Sequence, residues 1–321
     1  MNKPVRILLK SPDIAASVCG INSENLTMIE KAFDVLIDAP GDGFIVRGST
    51  AGQSQARAVL KTLIKAAENG QSPDAPSVRA AIAFAKNGDA LSAEDGFEVP
   101  RAKRLISPRN PAQKIYLDLL RGAGADLVFG VGPAGTGKTF LAVCYGASLL
   151  AARKIDKLIV ARPALEAGER LGFLPGALEE KVDPYMLPVW DALNEALGQE
   201  TVLKRRAEGR IEIAPLAFMR GRTLSHAFVI VDEAQNATIA QMRMVLTRLG
   251  EGSRMVVTGD PSQSDLPRDQ PSGLAHALAV LGSVKGCAIA HFTGKDVVRH
   301  PLVARIVAAY ESEARCKNER R

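Results

Sequence analysis

The sequence is poor in aromatic residues, with one Trp, four Tyr and ten Phe in 321 positions. So few ring faces leave no obvious platform on which several bases of a single strand would stack. Cysteine is scarce too. Cys19, Cys144, Cys287 and Cys316 lie far apart with no C-x-x-C pair, which argues against both a disulfide framework and a zinc site. His226, His276, His291 and His300 lack metal-ligand spacing and complete no nucleophilic triad. No apolar run approaches the roughly 18 to 20 residues of a membrane-crossing helix, and the opening stretch MNKPVRILLKSPD has no signal-peptide core. A cytoplasmic protein without membrane attachment is therefore expected. Neither an internal repeat nor a low-complexity tract is present.

What the chain does have is 46% hydrophobic residues, enough to bury one large core and one small one. Its net charge of +6 points modestly to a polyanionic partner, because Lys and Arg gain affinity by releasing counterions from a phosphate backbone.

Residues 1–70 read as a small α+β unit. VRILLK has strand character, and INSENLTMIEKAF reads as an amphipathic helix with Asn22 or Ser23 as its N-cap. DVLIDAPGDGFIVRG reads as a hairpin, and the following helix puts Ala56, Val59, Leu60, Leu63 and Ile64 on one face. Residues 71–107 are turn-rich and read as a linker with one short helix, VRAAIAFAKNG. The cluster Arg101, Lys103, Arg104 and Arg109 either touches phosphate or is simply solvated.

From 108 to 321 strand and helix patterns alternate, the mark of a parallel sheet covered on both faces, hence an α/β domain. The expected strands are Leu127 to Val131, Leu158 to Ala161, Ile211 to Ala214, Phe228 to Val231, Met255 to Thr258 and Ala288 to Phe292. Helices are expected to begin near Gly137, Ala177, Ile239, Ser272 and Asp296.

The first of these strands runs into Gly132-Pro133-Ala134-Gly135-Thr136-Gly137-Lys138-Thr139, which matches G-x-x-x-x-G-K-[ST] at a strand-to-helix junction. Glycines let backbone N–H groups turn inward around phosphates, and the helix start adds its positive dipole end. Lys138 suits the β- and γ-phosphates, and the Thr139 hydroxyl suits Mg²⁺. A second apolar run, in FVIVDEAQN, ends in Asp232 and Glu233. At the carboxyl end of a buried parallel strand, Asp232 would hold Mg²⁺ and Glu233 would deprotonate an attacking water. In MVVTGDPSQSDLP, Gln263 reads either as a γ-phosphate sensor or as part of an Asp-Pro-Ser turn that starts a helix.

These motifs recur together with ARPALEAGERLGFLPG, EKVDPY, PLAFMRGRTL, VDEAQNAT, GDPSQSDLPR and DVVRHPLVARIV, and in that order the chain resembles the PhoH-like ATPases of the YbeZ group. The resemblance runs from about Pro108 to Tyr310 and extends more loosely over the N-terminal unit. It implies a P-loop NTPase with a RecA-like sheet, related to superfamily 1 helicases, preceded by a KH-like domain. The cofactors implied are ATP and Mg²⁺. Gln113 stands where helicase-like proteins place an adenine-reading glutamine, although a helix-start role also suits it. Arg220, Arg222 and Arg299 are candidates for a finger that stabilises transition-state charge, each with a structural salt bridge as its alternative.

About two hundred residues after Pro108 make one motor lobe only, so the resemblance implies a homo-oligomeric ring, a hexamer among the open sizes, in place of a monomeric helicase. The N-terminal unit lacks the G-x-x-G clamp of KH modules, offering PGDGF and GSTAG instead, so RNA binding stands equal there with packing or partner docking. The implied activity is ATP hydrolysis coupled to RNA remodelling or translocation, with a YbeY-type endoribonuclease of ribosomal RNA maturation as a partner. The alternative is an ATP-gated adaptor without motor activity.

Overall fold

The computed structural model describes residues 3–100, 104–163, 186–267 and 269–298, together with positions 303 and 306. The chain divides into two units, Met1–Gly122 and Ala123–Arg321.

In the first unit, β1 (Val5–Leu8), β2 (Val35–Asp38) and β3 (Gly43–Gly48) form an antiparallel sheet in the order β1-β3-β2. The helices α1 (Pro12–Cys19), α2 (Glu24–Phe33), α3 (Thr50–Glu68) and α4 (Ala75–Lys86) pack with it. The expected strand, hairpin and two helices are all present, and Ala56, Val59, Leu60 and Leu63 are buried. The start of α2 differs from the expectation. Ser23 is its N-cap residue but sits in the left-handed region (φ 59°) and makes no side-chain cap, so a backbone turn at Asn22 and Ser23 sets the helix start. The GSTAG stretch is a helix start as well, with the Ser49 hydroxyl accepting the Gly52 N–H (3.1 Å).

Within residues 71–107, α4 belongs to the first unit's core. Val78, Ala81, Ile82 and Ala85, spaced i, i+3, i+4, i+7, bury against α2 and α3. A short pair, β4 (Phe97–Val99) with β5 (Arg104–Ile106), follows, and α5 (Pro111–Arg121) closes the unit with Asn110 as N-cap.

The second unit is built on a sheet whose four central strands are almost wholly buried, while its two edge strands are partly buried. The strands are β6 (Leu127–Val131), β7 (Lys157–Arg162), β8 (Ile211–Pro215), β9 (Ala227–Val231), β10 (Arg254–Gly259) and β11 (Cys287–His291). Among the described residues they make one all-parallel sheet in the order β11-β6-β10-β9-β7-β8. Every residue of β6 and β9 is buried, which requires cover on both faces.

α6 (Lys138–Ala151) covers one face, on β7, β9 and β10. Gly146 lets it approach closely, since a Cβ there would meet Leu158 Cδ1 at 2.7 Å and Phe228 Cδ1 at 2.8 Å. α7 (Leu187–Leu197) packs on α6, and α8 (Gln199–Ala207) packs on β8. The opposite face buries Phe129, Ile159, Val229 and Val257 under Met242 and Val245 of α9 (Ile239–Leu246) and Leu274 of α10 (Gly273–Leu281). Near Asp296 the described residues form a short 3₁₀ turn, Gly294–Asp296, and positions 303 and 306 are helical. The helix start expected near Ala177, and the ERLGFLPG and EKVDPY motifs, lie outside the described residues. No helix among the described residues is long and apolar enough to cross a membrane.

Candidate active site

Parallel strands bring the carboxyl ends of β6, β7, β9 and β10 to one edge, and the chemistry-bearing motifs meet there. Beyond β6 the chain must turn sharply. Gly132 has φ 141°, and a Cβ on it would lie 2.2 Å from the Phe292 carbonyl oxygen. Its N–H donates to Gly259 O (3.1 Å), while Val298 N–H donates to Gly135 O (2.9 Å). The loop is thus held by β10 and by the segment after β11, the two neighbours of β6.

Lys138 is 8% exposed, and its Nζ donates to Gly132 O (2.6 Å), Pro133 O (2.7 Å) and Thr136 Oγ1 (3.3 Å). Burial pushes its pKa down, and the carboxylates of Asp260, Asp232 and Glu233 oppose that shift. An ammonium so placed is better matched by an incoming polyanion than by the three neutral oxygens it now faces.

The Thr139 hydroxyl donates to Asp232 Oδ1 (2.6 Å), and the Thr258 hydroxyl of β10 donates to the same oxygen (2.7 Å). Asp232, only 4% exposed, is therefore satisfied from both the loop and the adjacent strand. Burying Phe228, Val229, Ile230 and Val231 gains roughly 1.5–3 kcal/mol each. That outweighs the several kcal/mol needed to desolvate one paired carboxylate.

Mg²⁺ takes hard oxygen ligands, one or two from protein and the rest from water and phosphate. The Thr139–Asp232 pair fits that donor set. Among the described residues no group of three His, Cys, Asp or Glu side chains is placed to hold a metal unaided. Thr258→Val is expected to leave Asp232 short of one buried donor and to cost about 1–3 kcal/mol, read as a lower urea midpoint at an unchanged slope.

Glu233 follows in the left-handed region (φ 51°), uncommon for a residue with a side chain. Its Oε1 lies 3.3 Å from Arg162 Nη2 at the end of β7, and its Oε2 accepts from Gln235 Nε2. Gln235 in turn accepts the Asp260 N–H through its own Oε1 (3.1 Å), joining the ends of β9 and β10. Asp260 is 7% exposed. Its Oδ1 accepts from Ser262 N–H (3.0 Å) and Oγ (2.7 Å), while its buried Oδ2 has no hydrogen-bond partner among the described residues.

The Asp-Pro-Ser turn is therefore formed. Gln263 rides on it with an exposed side chain and a backbone N–H bonded to Asp260 O (3.0 Å).

Four residues of this network carried no role in the sequence reading: Arg162, Gln235, Thr258 and Asp260. Asp260 was open to discovery, since it ends an apolar strand just as Asp232 does.

Gln113 belongs to the first unit. Its backbone N–H is capped by Asn110 Oδ1 (2.9 Å), and its side-chain oxygen accepts the Arg109 N–H (2.7 Å), the bonds of a helix start. Arg220 is exposed. Arg222 grips Glu212 of β8 through both terminal nitrogens (2.5 and 2.8 Å), the salt-bridge arrangement. Arg299 lies outside the described residues.

The Arg222 hydrogen bond holds the Glu212 pKa down despite burial, and Glu212 raises that of Arg222. A depressed carboxylate pKa adds stability above its unfolded value and loses it as pH falls through the folded one. Arg222→Ala should therefore flatten the loss of stability on acidification below the ordinary glutamate range. The expected size is under about 1 kcal/mol, because solvent screens a half-exposed pair, and urea midpoints at neutral and acid pH would measure it.

A family described as PhoH-like protein matches residues 105–311. The chain belongs to the PhoH-like family. A PhoH-like protein of Bacillus subtilis is 44% identical over 309 residues, spanning 95% of this chain and 96% of that one. One from Synechocystis is 42% identical over 94% of this chain and 93% of its own length. Protein PhoH of Escherichia coli K12 is 45% identical over 207 residues, which is 64% of this chain and 58% of that protein. PhoH-like proteins are P-loop NTPases, a family that implies nucleotide binding, in keeping with the RecA-like parallel sheet.

Proposed function

We propose that this PhoH-like protein binds ATP with Mg²⁺ and hydrolyses it in the service of RNA metabolism. The observation that carries the reading is the Thr139–Asp232 hydrogen bond (2.6 Å), which joins the Lys138 loop to the strand that ends in Glu233.

In this mechanism Lys138 exchanges the Gly132 and Pro133 carbonyls for β- and γ-phosphate oxygens. Thr139 and Asp232 would hold Mg²⁺, which neutralises phosphate charge when bound. Glu233 orients a water and takes its proton as the water oxygen bonds to the γ-phosphorus. The bond from that phosphorus to the β–γ bridging oxygen breaks, leaving ADP and phosphate. Arg162 and Gln235 fix the direction of the Glu233 carboxylate. Gln113 reads adenine, Gln263 senses the γ-phosphate, and Arg220 or Arg299 acts as a finger across the interface of a homo-oligomeric ring, where an arginine is worth about 10³–10⁵ in rate. Family resemblance and the charge of +6 support RNA as the polymer and a YbeY-type endoribonuclease as an associate.

The test is ATP turnover with and without RNA, beside strand separation on a tailed duplex and mass in solution with and without ATP. Turnover stimulated several-fold by RNA and strand separation driven by ATP support the motor. Nucleotide-dependent partner affinity with neither would make the protein an ATP-gated adaptor. A monomer under all conditions would remove the finger in trans.

A further inference from the structure

Positive charge gathers at the amino ends of β7 and β8, the opposite end of the sheet from the nucleotide loop. After α6 ends, Arg153 (φ 58°) and Lys154 turn the chain towards β7, whose first residue is Lys157. α8 carries Lys204, Arg205 and Arg206 in its last turn, and Gly209 and Arg210 lead from it into β8.

These two turns are joined. Leu158 N–H donates to Arg210 O (2.9 Å), and Arg210 Nε and Nη2 donate to Asp156 O (3.2 Å) and Ile155 O (3.4 Å). The cations thus share a surface as well as a composition. Arg153, Lys154, Lys157, Lys204 and Arg206 are exposed, and Arg210 is half-buried. Among the described residues none of the six forms a salt bridge with a carboxylate. Of the nearby acids, Glu208 pairs with Arg205 (2.9 Å) and Glu212 with Arg222, while the exposed Asp156 carboxylate, between Lys154 and Lys157, offsets part of the positive charge. Arg206 is fixed over the Trp190 ring, 4.8 Å from its centroid, in a contact that keeps its charge.

Helix dipoles explain part of this pattern, because cations are favoured at a helix carboxyl end. They do not explain Lys157, which begins a strand, or the joining of two turns into one face. Six neighbouring cations outnumber the one exposed carboxylate among them, Asp156, and a run of phosphates removes their remaining repulsion while releasing counterions.

We propose that this face binds the phosphate backbone of RNA, without sequence preference. The proposal rests on the RNA reading above and adds its location, on the side of the sheet away from ATP.

The experiment compares the full chain with the triple variant Lys154→Gln, Lys157→Gln, Lys204→Gln, using a fluorescent 20-nucleotide oligouridine titrated at several salt concentrations. The expected result is an affinity loss of at least tenfold at about 50 mM salt, with the slope of log K against log salt shallower by about 2, near 0.7 for each phosphate contact removed on a single strand. Thermal midpoint and RNA-free ATP turnover should stay near wild type. If the triple variant melts early, the single Lys154→Gln should still lower the slope by about 0.7.

Equal affinity and equal slope in wild type and variant would overturn this face while leaving the RNA reading standing. A wild-type chain with no RNA affinity at low salt would overturn both. Loss of polyglutamate binding with RNA binding retained would assign the face to an acidic protein and overturn the proposal.

Discussion

Lys138→Ala is expected to reduce ATP affinity by at least 10²- to 10³-fold, with loss of turnover following from loss of binding. The size follows from the site: truncating one partner of a buried, hydrogen-bonded charge pair costs about 2–5 kcal/mol, much of it as the penalty of leaving the other charge unpaired. The Lys138 ammonium is 8% exposed and bonded on three sides, so water has little room to replace it. Alanine also strips the Gly132 and Pro133 carbonyls of their donor. Part of the effect will therefore be a loosened loop, and a thermal midpoint measured alongside titration calorimetry separates the two contributions. Binding within tenfold of wild type would remove the phosphate-cradle reading of residues 132–139.

Glu233→Gln should behave in the opposite way. The amide keeps the size of the side chain and the left-handed backbone at φ 51°, and retains an oxygen for Gln235 or Arg162. Affinity for ATP should change by no more than a few-fold, while turnover falls by about 10²–10⁴, the usual contribution of a positioned general base. Acid quench of the filtered complex would then recover ATP in place of ADP. Turnover at the wild-type rate would end the case for Glu233 as the base. It would also redirect attention to Asp260, whose buried Oδ2 has no described partner.

The strands that build this site were legible because a parallel strand covered on both faces is a near-continuous apolar run. FVIV and MVVT each end abruptly in polar residues, and β6 to β11 begin and end within a residue of their expected places. Shorter or locally ambiguous elements escaped: the eight-residue α1, the three-residue β4 and β5, and α7 and α8 between β7 and β8. Residues 71–107 show what composition leaves out. Their turn-rich flanks suggested a linker, yet Val78, Ala81, Ile82 and Ala85 carry the helical spacing that buries α4.

The bridges between strand ends could not be read from pattern. Thr258 reaches Asp232 only because β10 lies beside β9 with Val257 opposite Val231, a register that no local window contains. Gln235 likewise becomes a bridge only once two strand ends are adjacent.

The strand order also determines when the chain can first hold a nucleotide. β6 pairs with β10 and β11, so Leu127 meets Met255 and Cys287 across about 130 and 160 residues of intervening chain. Pairings of such length close slowly, because loop entropy is lost before the contacts form. On the ribosome, the 132–139 segment emerges long before the strands that hold β6 in place. A nascent chain stopped short of β11 should present an unfinished loop and an open edge of β6, a target for chaperones. Competence for nucleotide would then be acquired as one of the last events of folding.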